Sequence, residues 1–430
     1  MQMHKRNKNQ LPNYRETLSL RVTNTDQNKN PSKYVGNELK YVEKVLNSEN
    51  WSATTGNWNQ TLEGAFAKRI GTKYAVAMNS GTSTLHAALE TVGVGPGDEV
   101  ISPAITVIMD TTATIHANAV PVYADINPET YTIDPMDIER KITDKTKAII
   151  PVSLYGLPPD YDPILRLAKK YDLAVIEDNA QCFLSTYKGK MTGTLGDMAS
   201  YSFENTKHLS CGEGGILITN NEEYAESARK IGGHGFKNLK ASEGRVRLNQ
   251  DIFQNPNYKR HDTLGWNYRL SEFNAAIAMA QLERIDDLVQ LRIDSAQIFI
   301  DVMKQCDYLI PQKTPKGYTN SYYTLGVVYN GLESIGVTWE EFRKAYINAG
   351  GDGIYGAWAV PYLEPVIAER KFVDRCPWVY KDVHYQAGLC PNAERIQPHL
   401  MQFKTNYRDL KLARKKAEIL SGVIEKFASR

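Results

Sequence analysis

A lysine, Lys207, stands between a short apolar run and the glycine-rich residues 212–215. A lysine amine held at such a turn can form a Schiff base with a carbonyl group, which is one way in which enzymes use an amine as a nucleophile. The pattern is also typical of a β-hairpin in which the glycines make the turn and the lysine is solvated. Taken alone, Lys207 leaves both interpretations open.

Two acids, Glu177 and Asp178, end an apolar run that begins at Leu173. A carboxylate in this position can keep a proton on a nitrogen heterocycle or bind a ribose hydroxyl, because ligands of doubly wound sheets bind beyond the carboxyl ends of the strands. A cap of the strand end explains this segment about equally well by itself.

A turn of small polar residues, 79–83, follows the apolar run Tyr74–Met78. Its backbone N–H groups and hydroxyls stand at the predicted start of a helix, where the helix dipole and the unpaired donors favour a phosphate group. Serine and threonine are also the usual caps of a helix, so a plain cap is the better interpretation of this turn alone.

The three segments together meet the requirements of pyridoxal 5′-phosphate. The 79–83 turn would anchor the phosphate, and Asp178 would keep the pyridine nitrogen protonated so that the ring can accept carbanion charge. Lys207, 29 residues beyond Asp178, would form the Schiff base. The combination therefore predicts an enzyme that uses this cofactor.

The three segments can meet only if the fold brings them to one edge of a sheet. The hydrophobic pattern predicts such a sheet. Short apolar strands alternate with helices, which indicates a mostly parallel sheet covered by helices on both faces. We predict strands at 74–78, 99–102, 120–124, 148–152, 173–176, 199–203 and 216–219, and helices at 38–46, 83–92, 106–116, 135–142, 161–170 and from 271 past 291.

The chain is expected to have three parts. Residues 1–32 are rich in asparagine, lysine, glutamine and arginine and predict a polar arm, mobile or strapped onto a neighbouring subunit. Residues 33–293 form the predicted large cofactor-binding domain. Mixed strands and helices follow, so residues 294–430 predict a small C-terminal α+β domain.

Composition excludes several classes of protein. The 430 residues carry a net charge of +2, which creates no field that favours nucleic acid or an anionic membrane. Five widely spaced cysteines without a Cys-x-x-Cys pair predict neither a disulfide framework nor a zinc site, and no metal is expected. We find neither a secretory signal nor 18 consecutive apolar residues, and we predict a cytoplasmic protein without a membrane span.

Eight motifs occur in a fixed order, and with them the chain resembles the fold-type I sugar aminotransferases named after DegT, DnrJ, EryC1 and StrS. The resemblance covers about residues 47–427. The motifs are Asn-Ser-Gly-Thr (79–82), Gly-Asp-Glu-Val (97–100), Glu-Asp-x-Ala-Gln (177–181), Tyr-Lys-Gly-Lys (187–190), Gly-Asp (196–197), Ser-Phe-x-x-x-Lys (202–207), Gly-Glu-Gly-Gly (212–215) and Asn-Tyr-Arg (267–269).

The resemblance implies an aspartate-aminotransferase-like α/β fold, with a mostly parallel seven-stranded sheet in the large domain. It implies that Lys207 is the Schiff-base lysine, that Asp178 is the partner of the pyridine nitrogen, and that Gln181 contacts the ring oxygen of the cofactor. The residues implied to hold the phosphate are Gly81, Thr82 and Ser202, and Ser80 is also expected to bind the cofactor.

Two positions extend these expectations. Asn267 matches a residue that reaches the phosphate of the neighbouring subunit, which implies a homodimer, or a tetramer of dimers, with shared active sites. Where relatives stack an aromatic residue on the pyridine ring, this chain has Val107, which can cover the ring by apolar contact but cannot stack on it.

The implied activity is transfer of an amino group from glutamate or glutamine to a keto sugar, either a nucleotide-linked keto-deoxysugar or a keto-cyclitol. Such a reaction belongs to amino-sugar biosynthesis for a surface polysaccharide or for a natural product such as an antibiotic. A sugar dehydratase of the same fold would be an alternative, but those relatives carry histidine where this chain has Lys207.

A regulatory protein and a dehydrogenase fit the sequence less well. A non-catalytic regulatory member of the fold should have lost Lys207 or Asp178, and a nicotinamide dehydrogenase should show Gly-x-Gly-x-x-Gly after the first strand. His208 is expected to be structural, since a neighbour of Lys207 in the chain should point elsewhere. Residues 351–365, rich in rings and glycine, predict either a substrate cleft or a packed interface between lobes.

Overall fold

The computed structural model describes residues 32–245 and 248–428. The predicted polar arm lies outside the described residues, apart from Ser32.

Most strands of the described chain belong to two sheets, one of seven strands and one of four, and two short strands pair separately. In order, the strands are β1 (Tyr74–Met78), β2 (Glu99–Pro103), β3 (Val120–Ala124), β4 (Thr146–Ile149), β5 (Ala174–Asp178), β6 (Thr186–Tyr187), β7 (Lys190–Met191), β8 (Met198–Ser202), β9 (Gly215–Thr219), β10 (Leu309–Pro311), β11 (Leu325–Tyr329), β12 (Tyr355–Gly356) and β13 (Leu400–Phe403).

The large sheet has the strand order β1-β9-β8-β5-β4-β2-β3. β8, β5, β4, β2 and β3 pair in parallel, whereas β9 pairs antiparallel with both β1 and β8. Six strands therefore run in one direction and β9 runs in the other. The prediction of a mostly parallel seven-stranded sheet is confirmed, and the carboxyl ends of the six parallel strands share one edge.

Helices cover this sheet and form much of the rest of the chain. The α-helices of the described residues are α1 (Glu38–Ser48), α2 (Trp58–Ile70), α3 (Gly81–Thr91), α4 (Met109–His116), α5 (Pro135–Lys141), α6 (Tyr161–Tyr171), α7 (Glu222–Gly232), α8 (Gln250–Gln254), α9 (Glu272–Leu282), α10 (Ile285–Met303), α11 (Gly331–Ile335), α12 (Trp339–Asn348), α13 (Pro365–Ala368), α14 (Pro377–Tyr380), α15 (Pro391–Ile396) and α16 (Leu410–Ala428).

Both faces of the large sheet are buried, which explains why its strands read as apolar runs without alternation. Successive side chains of β1 point to opposite faces, as strand geometry requires. Met78 packs in the same cluster as Leu85 of α3, whereas Ala77 packs in the cluster that contains Phe66 of α2.

The four-stranded sheet is antiparallel, with the order β10-β11-β13-β12. It shares a hydrophobic core with α10, α12 and α16, to which Phe299, Phe342 and Leu420 contribute. This sheet and its helices correspond to the mixed strands and helices expected in the C-terminal part of the chain.

The helix predicted from residue 271 past residue 291 is interrupted. α9 ends at Leu282 and α10 begins at Ile285, because Arg284 departs from helical dihedral angles, with φ −120° and ψ 16°. The Arg284 guanidinium donates hydrogen bonds to Glu38 Oε1 at 2.8 Å and to the Lys33 carbonyl at 2.7 Å. The break is thus fixed by contacts with α1 and the segment before it, which helical periodicity does not reveal.

Among the described helices, none combines the length and the apolar composition that crossing a membrane requires. Over the same residues, no three histidine, cysteine, aspartate or glutamate side chains group together in a way that would bind a metal ion.

Candidate active site

The large sheet brings the three predicted cofactor segments to one edge. β1 leads into the 79–83 turn, β5 ends at Asp178, and β8 ends at Ser202, five residues before Lys207. Asp178 pairs with Ser200 of β8, and Ser202 pairs with Gly215 of β9. Strand order and register therefore place a helix start, an acid and a lysine side by side.

The 79–83 turn both caps a helix and leaves phosphate-binding donors. Ser80 is the N-cap of α3, and its Oγ accepts the N–H of Ser83 at 3.0 Å. Ser83 Oγ donates in turn to Asn79 Oδ1 at 2.5 Å. The N–H groups of Gly81 and Thr82 lie in the first helical turn, where no partner exists within the helix.

Two glycines allow the strands to approach this turn closely. A Cβ on Gly81 would lie 3.0 Å from Ser202 Cβ, and a Cβ on Gly215 would lie 2.6 Å from the carbonyl oxygen of Ser80. The same Cβ on Gly215 would lie 2.7 Å from the backbone nitrogen of Gly81. Gly215 of the glycine-rich stretch thus packs against the helix start, a role that hairpin geometry alone does not explain.

Asp178 is buried at the end of β5. Its Oδ1 accepts the N–H of Ala180 at 2.8 Å, and its own N–H donates to the Pro151 carbonyl at 3.0 Å. Burial raises the pKa of the Asp178 carboxyl, whereas the Ala180 N–H and the positive charge of Lys207 lower it. The lysine therefore acts electrostatically on the acid, as the predicted site requires.

Lys207 is half-buried and lies where the large sheet meets the C-terminal lobe. Its Nζ is 4.5 Å from the centre of the Tyr323 ring, a cation–π distance. The neighbouring Thr206 Oγ1 is 2.8 Å from the Tyr323 hydroxyl. The turn that carries the lysine is thus attached to the residues that lead into β11.

Arg292 of α10, which the sequence patterns did not identify, holds this attachment in place. Its guanidinium donates to the Thr206 carbonyl at 2.6 Å and also to the Tyr323 carbonyl. Burial lowers the pKa of Arg292 to about 10. Its position inside a long helical pattern looks like that of any surface arginine, so the sequence offers no signal for this contact.

Asp110 is a second residue that sequence reasoning missed. It lies in the first turn of α4, is 1% exposed, and is in hydrogen-bond contact with Asp178. Thr106 Oγ1 donates to Asp110 Oδ2 at 2.6 Å. An acid in a first helical turn is common because it complements the helix dipole, so its type and position do not mark it as a site residue.

Gln181, which follows Asp178 in the chain, is buried and fixes a strained turn. Its Oε1 accepts the N–H of Tyr155 at 2.9 Å, and Tyr155 has a left-handed φ of 60°. The amide Nε2 is the donor that remains for a ring oxygen of the cofactor. The predicted role of Gln181 is consistent with this geometry and stays a prediction.

Val107 and Asn267 lie in loops near the same edge. Val107 is half-buried in the loop of residues 104–108, between β2 and α4. The helix that was predicted at 106–116 begins only at Met109, after this loop. The helix that follows this loop carries Asp110, whose side chain forms a hydrogen bond with that of Asp178. The Asn267 carbonyl accepts from Asn79 Nδ2 at 3.3 Å, while the residue itself is exposed.

His208 is buried away from the chemistry, in agreement with its expected structural role. Its Nε2 donates to the Ser321 carbonyl at 2.9 Å, and burial lowers the pKa of the imidazole well below its usual value. A neutral ring in this position supports the Lys207 turn and carries no charge into the site.

A cleft of about 530 Å³ opens beside the Lys207 turn. Thr206 and Tyr323 line the cleft, together with Tyr355, Trp358 and Lys404. Tyr355 and Trp358 belong to the ring-rich residues 351–365 and are 68% and 56% exposed. Their exposure favours the substrate-cleft interpretation of this segment over a packed interface.

The residues at this edge fit pyridoxal phosphate. The turn at the start of α3 offers unpaired N–H groups, and a side chain at Gly215 would displace it. Asp178 supplies a buried carboxyl group, and the charge of Lys207 acts on it. Phosphate, ring nitrogen and aldehyde thus each have a suitable partner in the chain.

Comparison with protein families and curated proteins gives clear matches. The model of the DegT/DnrJ/EryC1/StrS aminotransferase family matches residues 33–350. A GDP-perosamine synthase of Caulobacter vibrioides is 40% identical over 258 residues, which are 60% of this chain and 64% of that protein. This chain thus spans less than two thirds of that relative's length. A GDP-perosamine synthase of Escherichia coli O157:H7 is 36% identical over 299 residues, 69% of this chain and 76% of that protein.

Solved structures show the same fold. An aminotransferase from Psychrobacter cryohalolentis matches with a TM-score of 0.80 and 27% identity, over 93% of this chain and 99% of that chain. A GDP-4-keto-6-deoxymannose-3-dehydratase with a trapped PLP-glutamate geminal diamine matches with a TM-score of 0.78 and 25% identity, over 91% of this chain and 99% of that chain. The expected fold class is confirmed.

Proposed function

Since this chain belongs to the DegT/DnrJ/EryC1/StrS aminotransferase family and uses pyridoxal phosphate, we propose that it aminates a nucleotide-linked keto-deoxysugar with glutamate or glutamine as the donor. The observation that carries the proposal is the position of Lys207, whose charge acts on Asp178 and whose ring contact, Tyr323, lines the cleft. Two relatives named GDP-perosamine synthase support a nucleotide-linked acceptor.

When bound, pyridoxal phosphate supplies an aldehyde carbon that carries the amino group and a ring that accepts electrons from the donor's α-carbon. Lys207 Nζ would bind that aldehyde in the resting enzyme and, once free, would move the proton of the donor's α-carbon. Asp178 holds the proton on the pyridine nitrogen. The N–H groups of Gly81 and Thr82, with Ser80 and Ser202, hold the phosphate.

The surrounding residues orient the reactants and exclude water. Val107 would cover the ring by apolar contact, and Gln181 Nε2 would donate to the ring oxygen. Tyr323 and Arg292 hold the turn of Lys207, so that Nζ keeps one position through both halves of the reaction. The donor's oxo acid would leave before the keto sugar binds, and the amino group would stay on the enzyme in between, so ping-pong kinetics are expected.

The cleft supports a sugar nucleotide as the acceptor. Exposed rings such as Tyr355 and Trp358 can stack on a sugar face or a base, and Lys404 supplies positive charge for a diphosphate. A keto-cyclitol would use the rings but has no phosphate for Lys404, which in the structure lies 3.9 Å from Asp352 of the same cleft. The names of the two GDP-perosamine synthases, rather than the charge of the cleft, favour the nucleotide-linked substrate.

Further parts of the proposal concern assembly and context. We place the enzyme in the cytoplasm, as a homodimer in which Asn267 of each subunit completes the phosphate site of the other. The exposure of Asn267 leaves its side chain accessible to a second subunit, which supports this arrangement. The product would enter the biosynthesis of a surface polysaccharide, or of a natural product such as an antibiotic.

The second candidate is sugar dehydration, because a dehydratase is among the similar structures.

One experiment distinguishes amination of the keto sugar from its dehydration. Purified enzyme with pyridoxal phosphate and glutamate or glutamine is incubated with GDP-, UDP- and dTDP-linked 4-keto-6-deoxyhexoses and with scyllo-inosose, and products are identified by mass spectrometry. We expect an amino sugar from one nucleotide-linked ketone and none with Lys207→Ala. Loss of a hydroxyl without amination would establish dehydration, and failure of every nucleotide-linked ketone would overturn the substrate class.

A further inference from the structure

The carboxyl groups of Asp110 and Asp178 come from different elements and interact in the candidate active site. Asp110 lies in the first turn of α4 and Asp178 ends β5, and their side chains are in hydrogen-bond contact. Asp110 is 1% exposed and Asp178 is 8% exposed, so water does not screen them from each other. Two buried carboxylates at such a separation would repel strongly.

A proton held between them removes the repulsion. Burial and the neighbouring charge of Asp178 raise the pKa of Asp110 well above its ordinary value. Carboxyl groups that touch in a buried site lose their protons one at a time. One member of the pair is therefore a neutral acid that donates a hydrogen bond to the other.

The surroundings assign the proton to Asp110. Asp178 accepts the N–H of Ala180 and feels the positive charge of Lys207, and both favour its ionised form. Asp110 Oδ2 accepts a hydrogen bond from the Thr106 hydroxyl, whereas its buried Oδ1 accepts none from the described residues. A proton on Asp110 gives this carboxyl a partner that it otherwise lacks.

We propose that Asp110 is a positioning residue, a neutral acid that donates to the Asp178 carboxylate and thereby keeps the cofactor's proton on the pyridine nitrogen. The inference rests on the proposed role of Asp178 as the partner of that nitrogen.

The physical reason is the competition for one proton between Asp178 and the ring. A carboxylate that accepts an additional hydrogen bond is a weaker base, so the shared proton stays on the nitrogen. Without that bond, burial favours the neutral pair, in which the proton sits on Asp178 and the ring loses its charge. Transamination depends on the charged ring, because it accepts electrons from the donor's α-carbon.

Two variants of similar size separate donation from packing. Asp110→Asn keeps a neutral N–H donor toward Asp178, whereas Asp110→Leu removes the donor and keeps the branched shape of the side chain. The readout is the ¹⁵N resonance of holoenzyme loaded with pyridoxal phosphate labelled at the ring nitrogen, whose shift distinguishes a protonated from a neutral ring. We expect a protonated nitrogen in the wild type and in Asp110→Asn and a neutral one in Asp110→Leu, with kcat about tenfold to a hundredfold lower in Asp110→Leu.

A second measurement uses the protein without cofactor. Infrared difference spectra between the wild type and Asp110→Asn should show the C=O stretch of a protonated carboxylic acid. Asp125→Asn is the matched control, because Asp125 is a buried acid outside the site that accepts the N–H groups of Asn392 and Ala393. Its replacement should remove no such band.

The results also distinguish this inference from the proposed function. If Asp178→Asn leaves the ring nitrogen protonated, the proposed role of Asp178 fails, and the infrared band alone then decides whether Asp110 is neutral. If Asp178→Asn neutralises the nitrogen but Asp110→Leu does not, the positioning role of Asp110 is overturned. Absence of the carboxylic acid band in the wild-type protein overturns it as well.

Discussion

The ammonium group of Lys207 lies 4.5 Å from the centre of the Tyr323 ring. The lysine follows β8 of the large sheet, and Tyr323 precedes β11 of the small one. Arg292 ties the two segments together by donating to the carbonyls of Thr206 and Tyr323. The position of the proposed catalytic amine is thus determined by a contact between the two lobes.

Removal of the ring at position 323 should slow catalysis. Tyr323→Leu removes the cation–π contact and should lower the rate constant of the donor half-reaction about threefold to thirtyfold. Tyr323→Phe keeps the ring and loses only the hydroxyl near Thr206, so it serves as the matched control and should stay close to the wild type. Stopped-flow absorbance of the bound cofactor measures both. Equal rates in the two variants would show that the ring contact does not position Lys207.

Neutralising Asp178 should separate binding from turnover. Asp178→Asn keeps the shape of the side chain but cannot hold the pyridinium proton as a carboxylate does. We expect retained cofactor binding and at least about a hundredfold lower kcat, because charge stabilisation of several kcal/mol is lost. Cofactor titration and steady-state rates measure the two effects. Near-normal turnover would remove Asp178 from the site.

A methyl group at Gly215 should displace the phosphate-binding turn. The new Cβ of Gly215→Ala would meet the Ser80 carbonyl oxygen at 2.6 Å, so strand or helix must shift. We expect cofactor affinity to fall at least about tenfold by titration of the apoprotein.

Gly64→Ala is the matched control for that substitution. Gly64 lies inside α2 with nothing within 4 Å of its ideal Cβ, so alanine should leave cofactor affinity unchanged. It should raise stability by roughly 0.5–1 kcal/mol, because glycine is a poor helix former. Unchanged affinity in Gly215→Ala would contradict the close approach of β9 to the turn.

Mixing two inactive variants tests the shared active site. If Asn267 acts in the partner's site, Lys207→Ala and Asn267→Ala should complement each other after subunit exchange. Random pairing makes half of the dimers mixed, each with one intact site, so about a quarter of normal activity should return. A double variant, Lys207→Ala with Asn267→Ala, mixed with Lys207→Ala should recover none. A monomer by light scattering, or no recovery after verified exchange, would rule the shared site out.

The sheet could be predicted from the sequence because its strands are buried on both faces. The runs at Tyr74–Met78 and Val120–Ala124 are strands with the predicted bounds. The antiparallel direction of β9 was not predicted, since an apolar run does not encode its direction. Helices α2 and α7 were also missed.

Local motifs identified the residues that are proposed to surround the cofactor, but the long-range contacts could not be predicted from the sequence. The 79–83 turn, Asp178 and Lys207 follow strands that meet at one edge, so strand order alone brings them together. Asp110 and Arg292 reach the site from α4 and α10 through side chains, and neither residue type nor spacing distinguishes such contacts from a helix cap or a surface charge.

The central claim is that Lys207 carries the cofactor. Borohydride reduction of the purified holoenzyme, followed by proteolysis and mass spectrometry, locates the lysine to which pyridoxal phosphate becomes fixed. We predict the adduct on the peptide that contains Lys207, and no adduct with Lys207→Ala. An adduct on any other lysine would contradict the account.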